Sequence, residues 1–274
     1  MTRYAKLFGR LEQAGRGAFI PFTVLGYPDM ARCREHLELL AAHADALELG
    51  IPFSDPTTDG PTIQRADQAA LAAGATPASC LRLLAEFRAS HPELPVGLLV
   101  YANLAVHRGV PRFYADLAEA GVDSALVVDV PTEEAPPFAD AARQAGVAPV
   151  FIAPPGAAPE VLARIAAFGA GYTYVLARAG VTGAELAGGT PSDGLLARLA
   201  AAGAPPPVLG FGMSTPGHVR DGIRAGAAGV ISGSAVVERL RAWDAGTCQR
   251  EAVAEWLAGM HGAATRSAAR DPAR

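Results

Sequence analysis

The segment "LELGIPFSDPTTDGP", Leu47 to Pro61, gathers Glu48, Asp55 and Asp59 in and around a loop stiffened by Pro52, Pro56 and Pro61. Glu48 lies inside the apolar run "ALEL". A carboxyl group flanked by core must be paired, protonated or functional, because an isolated buried charge is strongly disfavoured. Burial raises its pKa and fits it for general acid–base work. Capping the loop's own N–H groups is the structural alternative. Asp59 sits in "TDGP", where Asp-Gly favours a turn and Pro61 suits the first turn of a following helix. It is therefore also a candidate helix N-cap. Placed at opposite ends of one braced loop, Glu48 and Asp59 could face a substrate from two sides.

Such residues need a scaffold, and the chain alternates short apolar runs with longer helical patterns. The strand candidates are 18–25, 45–49, 95–101, 124–130, 148–153, 172–177, 206–212 and 228–233. Helix-like stretches fall near 29–43, 61–73, 77–90, 111–120, 133–145, 158–168, 192–202, 215–225, 234–242 and 247–264. The runs are mostly continuous and rich in β-branched residues, which suits a parallel sheet covered on its outer face. Eight such runs with helices between them predict a closed (β/α)₈ barrel. A doubly wound open sheet is the alternative, but no G-x-G-x-x-G follows the first run. No linker or composition shift divides residues 1–264, so they are expected to form a single domain. Residues 265–274, "TRSAARDPAR", are expected to be a disordered tail.

In a barrel, function sits on the loops after the strands. The seventh run ends in "LGFGMSTPGHV" and the eighth in "VISGSAVVERL". Gly212, Ser214, Gly233 and Ser234 can offer N–H groups and hydroxyls to an anion at helix starts, although glycine and serine are also ordinary turn and cap residues. The stretch Arg178–Gly194 is long, rich in glycine and without an apolar stripe, as expected of a lid, and Thr182 and Gly183 stand near its start. Phe22, Leu99, Leu126, Val128, Ile152, Tyr174, Phe211 and Ile231 fall on inward positions near the loop end. Beside a phosphate site they would suit a flat apolar ligand with a phosphorylated tail.

The bulk numbers exclude other classes. The 274 residues carry 27 acids and 23 bases, a formal net charge of -4, without a basic cluster, which argues against nucleic acid and anionic membrane surfaces as partners. Tyr4, Leu7, Phe8 and Leu11 recur at helical spacing, so the first residues read as an amphipathic helix and not a signal peptide. Cys33, Cys80 and Cys248 are scattered and odd in number, as in a reduced cytoplasmic protein.

The segment 47–66, "LELGIPFSDPTTDGPTIQRA", together with "YANL" (101–104), "VDVPTEE" (128–134), "YTYVLARAGVTGAE" (172–185), "GFGMST" (210–215) and "ISGSAVV" (231–237), resembles the tryptophan synthase α-subunit family. The motifs match in order and spacing over nearly the whole chain. The resemblance implies a TIM barrel with an extra N-terminal helix. It also implies a lyase of tryptophan biosynthesis that cleaves indole-3-glycerol phosphate, by a retro-aldol reaction, to indole and glyceraldehyde 3-phosphate. Glu48 matches the glutamate that protonates indole C3, and Asp59 the aspartate that stabilises positive charge at the indole N–H. Gly183, Gly212, Gly233 and Ser234 match phosphate positions. Tyr174, Thr182, Phe22, Leu99 and the other lining residues match the indole pocket. A β-subunit partner in an α₂β₂ complex is implied, docking through the loops around Asp55 and Asn103.

The residue inventory agrees with cofactor-free chemistry. A Schiff-base aldolase or a pyridoxal phosphate enzyme needs a lysine in the site, and Lys6, on the first helix, is the only lysine. A metal aldolase wants clustered histidines. His36, His43, His91, His218 and His261 fall in or beside predicted helices, and only His107 is expected on a loop at the right face. No cofactor and no metal are expected. The chain departs from the family's usual pattern at Thr57-Thr58, at Val106 and His107, and at Ala177. The first two fall where a partner would dock. A stand-alone lyase releasing free indole, and a non-catalytic phosphate-binding barrel, therefore remain as alternatives.

Overall fold

The apolar runs become parallel strands because each is too short and too β-branched to favour helix, and because the amphipathic stretches between them can cover the sheet's outer face. The computed structural model describes residues 1–176, 194–210 and 212–266. Its elements are α1 (Arg3–Gln13), β1 (Ala18–Val24), α2 (Met30–Ala41), β2 (Leu47–Gly50), α3 (Pro61–Ala72), α4 (Pro77–Ser90), β3 (Val96–Val100), α5 (Ala102–Arg108), α6 (Val110–Glu119) and β4 (Ser124–Val127). Then come α7 (Ala135–Ala145), β5 (Ala148–Ala153), α8 (Pro159–Phe168), β6 (Thr173–Leu176), α9 (Leu195–Ala201), β7 (Pro207–Gly210), α10 (Pro216–Arg224), β8 (Gly229–Ser232), α11 (Ser234–Asp244) and α12 (Arg250–Ala263).

The strands pair in chain order and β1 closes on β8, giving the expected (β/α)₈ TIM barrel. Registry sets the interior. Phe22 lies beside Glu48, Glu48 beside Gly97, and Ile152 beside Tyr174, which in turn lies beside Val208.

The extra helix α1 seals the floor of the barrel. It buries Tyr4, Leu7 and Leu11, and Thr2 caps it by accepting from the Ala5 N–H at 3.2 Å. Arg3 and Arg88 both reach Asp123, each at 2.8 Å, just below β4. Asp123 also accepts from the Val96 N–H at 2.9 Å, so one half-buried carboxylate ties helix, strand and loop together.

Element boundaries shift modestly from the sequence expectation. The helix expected from 133 starts at Ala135, after a 3₁₀ turn over Thr132–Glu134. Helix α5 has no counterpart among the expected elements. It is one short helix with no side-chain cap at Tyr101. His107, expected on a loop, therefore lies on α5, with its side chain exposed. Thr265 and Arg266, assigned to the tail, are held: Arg16 and Thr265 form a bridge, and the Arg266 N–H donates to the Gly15 carbonyl at 2.8 Å. The rest of that tail lies outside the described residues. Among the described residues no helix is long and apolar enough to cross a membrane.

Candidate active site

Glu48 is the second residue of β2, inside the strand rather than at its end, and it is fully buried. The interior is shaped around it. A Cβ on Gly97 would stand 2.6 Å from Glu48 Oε2 and 2.7 Å from Ser124 Oγ, so only glycine leaves room for the carboxyl group. The Tyr172 hydroxyl donates to Oε2, while Oε1 has no hydrogen-bond partner among the described residues. Tyr172 packs on Tyr4 from the floor helix, with ring centroids 5.5 Å apart. The carboxyl group is thus held toward the floor of the barrel. Burial pushes its pKa up to about 7, against the smaller opposing effect of the Tyr172 hydrogen bond.

Asp59 stands on the loop between β2 and α3 and is also buried. Its Oδ2 accepts from the Tyr101 hydroxyl at 2.8 Å. Burial raises its pKa, and Tyr101 pulls the other way. Asp59 is not the cap of α3, because Gly60 takes that place without a side-chain bond and Pro61 opens the helix. The Gln64 side chain instead donates to the Asp59 carbonyl at 2.7 Å, fastening the loop to the helix. Beneath lies Asp67 of α3, buried, with Oδ2 unpartnered among the described residues. Burial and the nearby Asp59 charge push its pKa up to about 8, so it is largely neutral at pH 7.

Tyr174 bridges the two carboxyl groups electrostatically. It is buried on β6, and its phenol is pushed above its ordinary value by burial, then by Glu48 and Asp59. A Cβ on Gly210 would come within 2.1 Å of the Tyr174 hydroxyl, so the neighbouring strand must carry glycine there. Leu99, Ile152 and Leu176 are the only incompletely buried residues in the C-terminal halves of β3, β5 and β6. They therefore open onto a mouth lined with apolar side chains. Leu126 on β4 and Ile231 on β8 are buried below it, and Val128, half-buried just past β4, stands at its rim. Phe22 spans the interior. A Cβ on Gly50 would sit 3.1 Å from the Phe22 ring, and one on Gly233 would sit 3.6 Å away.

On the other side of β1 from Glu48, the loops after β7 and β8 are braced together. The Ser232 hydroxyl donates to the Met213 carbonyl at 2.5 Å. Gly212 has φ +72°, a conformation that favours glycine. Ser234 opens α11, whose N-terminus no side chain among the described residues caps, so its first N–H groups can face an anion. Ser214 instead turns to His218, its N–H and hydroxyl both 3.3 Å from Nδ1. Thr182, Gly183 and Phe211, and nearly all of the 178–194 stretch, lie outside the described residues.

Tyr172, Tyr101, Gly97 and Gly210 belong to the site without standing among the candidates that the sequence offers. For Tyr172 a signal existed: in "YTYVL" it shares strand parity with Tyr174, so both face inward.

A closed eight-stranded parallel barrel with buried, upward-shifted carboxyl groups beneath an apolar mouth places the chain in the TIM-barrel class. The family model of the tryptophan synthase alpha chain matches residues 8–265. The tryptophan synthase alpha chain of Shewanella oneidensis is 55% identical over 238 residues, covering 86% of each chain. That of Escherichia coli is 53% identical over 239 residues, covering 87% of this chain and 89% of its own. Among solved structures, a tryptophan synthase of Mycobacterium tuberculosis superposes with TM-score 0.85 at 28% identity, over 96% of this chain and 98% of that one. The chain belongs to the tryptophan synthase alpha chain family.

Proposed function

We propose that Glu48 and Asp59 carry the lyase reaction of this family, cleavage of indole-3-glycerol phosphate to indole and glyceraldehyde 3-phosphate. The observation that supports these roles best is the buried Glu48 carboxyl group with a pKa near 7. Near neutral pH both of its protonation states are populated, as a group that gives one proton and takes another requires. Glu48 turns from Tyr172 toward the mouth and protonates indole C3, leaving positive charge on the ring nitrogen. Asp59 meets that charge. Glu48, now a carboxylate, takes the proton from the glycerol hydroxyl next to the ring, and the aldehyde forms. The carbon–carbon bond breaks and its electron pair returns to the ring, restoring indole. The protonated ring is its own electron sink.

The loops at Gly212, Gly233 and Ser234, with Gly183, hold the phosphate. Phe22, Leu99, Leu126, Val128, Ile152, Tyr174, Thr182, Phe211 and Ile231 enclose the indole. The purified chain is expected to cleave indole-3-glycerol phosphate, with inorganic phosphate or sulfate competing against substrate. Absence of competition at high millimolar concentrations would remove the phosphate assignment.

The product indole passes to a β subunit, in the cytoplasm, where the three free thiols stay reduced. The docking face is the side bearing Asp55 and Asn103. Asp55 is exposed there, and a hollow of about 820 Å³ is lined by Phe53, Leu81, Asn103, Leu104, Val106 and His107. Val106 is 60% exposed, unusual for a large apolar side chain on this surface. Addition of the β subunit from the same source is expected to accelerate cleavage. Asp55→Ala and Asn103→Ala should blunt the acceleration while leaving the isolated chain's rate within about twofold. A rate unchanged by the β subunit would reject the partnership.

A further inference from the structure

The paired threonines of "PTTDGP" differ in what they face. Thr57 is exposed, whereas Thr58 is half-buried and turned inward. The Thr58 hydroxyl lies 2.7 Å from the Tyr101 hydroxyl, and the Thr58 N–H donates to the same oxygen at 3.2 Å. Tyr101 in turn meets Asp59 Oδ2 at 2.8 Å. An ionised carboxylate only accepts hydrogen bonds, so with Asp59 charged the phenol proton points to Asp59. The Thr58 hydroxyl must then be the donor to Tyr101. The phenol oxygen accepts twice and donates once, and every bond in the chain runs one way.

We propose that Thr58 is a positioning residue which, through Tyr101, orients Asp59 and favours its charged state. The proposal rests on the role given to Asp59 above. Hydrogen bonds arranged head to tail polarise one another, so two donors on the phenol oxygen make Tyr101 a stronger donor to Asp59. Phe53 stacks on the Tyr101 ring at 5.0 Å between centroids, which keeps the phenol in line. Among the described residues, the other titratable groups facing Asp59 are Tyr174 from β6 and Asp67 from α3. Neither carries positive charge, so among the described residues Tyr101 is the group that supports the Asp59 carboxylate. Thr58 is thus bonded inside the chain.

The test compares Thr58→Val, which keeps the shape and loses the hydroxyl, with Thr58→Ser, which keeps the hydroxyl. Both are assayed for cleavage of indole-3-glycerol phosphate as full-length chains across pH. Thr58→Val is expected to lower kcat about 5- to 10-fold with KM within about twofold, and to move the acid limb of kcat/KM to higher pH. Thr58→Ser should restore both. In a Tyr101→Phe background Thr58→Val should add nothing further. An unmoved acid limb in Thr58→Val, a serine variant as impaired as the valine one, or full additivity with Tyr101→Phe would each overturn the proposal. Asp59→Asn is the control. If it keeps normal kcat, the role of Asp59 itself falls. If it is impaired while Thr58→Val is not, only the role of Thr58 falls.

Discussion

Glu48→Gln is expected to lower kcat by about 10²-fold or more and to gain stability relative to the parent as pH rises from about 5 to about 8.5. Glutamine keeps the size of the side chain, and its carbonyl can still accept from Tyr172, so the variant folds around the same interior. It cannot give or take the proton. The stability effect follows from the environment that sets the pKa. Glu48 is pushed from an ordinary 4.5 to about 7, chiefly by burial. Between those values the folded chain holds a proton that the unfolded chain has released, so stability falls as pH rises through this window. The whole penalty, about 3 kcal/mol, is present once the pH exceeds about 7. Glutamine does not ionise and escapes it. Its amide faces the unpartnered Oε1 position, which lowers the variant's stability by an amount independent of pH. The informative quantity is therefore the difference between two pH values. Denaturant unfolding at pH 5 and pH 8.5 should show the variant gaining on the parent by up to about 3 kcal/mol. An equal gap at both pH values would mean that Glu48 is not held near neutrality. A near-normal kcat with folding intact would remove it from the chemistry.

How much of this was readable beforehand depends on how local each feature is. The strand runs were legible because four to seven apolar, β-branched residues between amphipathic stretches have few other folds. Glu48 was legible for a related reason: a carboxyl group inside such a run contradicts its surroundings and must be explained. Helix α5 was not, because seven residues with no side-chain cap carry too little periodicity. The partners of the acids were harder still. Tyr172 is 124 residues from Glu48, and Tyr101 is 42 residues from Asp59. Only barrel closure brings them together. The glycines at 97 and 210 look like ordinary strand interruptions until the side chains that fill their space, Glu48 and Tyr174, are in place. Thr58 is the clearest case. On a loop bearing an exposed acid it reads as surface, yet its hydroxyl points in. Its inward bond follows from Tyr101 standing at the end of β3 under that loop, which no local pattern encodes.

Asp59→Asn is expected to lower kcat by about 10²-fold or more with KM nearly unchanged. Asparagine has the same shape and can accept from Tyr101 through its side-chain oxygen. The Gln64 tether to the backbone carbonyl at 59 is untouched, so the loop keeps its place. What disappears is one negative charge. The neutral indole of the bound substrate has little use for that charge, whereas the protonated ring depends on it, so the loss falls on the transition state and not on binding. Asp67 does not substitute for it, because burial and the Asp59 charge hold Asp67 largely neutral at pH 7. Removing that charge lets Asp67 ionise at somewhat lower pH, so activity recovered toward alkaline pH would identify Asp67 as a partial replacement. The two acids are also separable by their pH profiles. Asp59→Asn leaves Glu48 to titrate near 7, and removes the acid limb that belongs to Asp59. Glu48→Gln does the opposite. A variant with raised KM and unchanged kcat would show that Asp59 only binds the indole N–H in the ground state, and the charge would then have no part in breaking the bond.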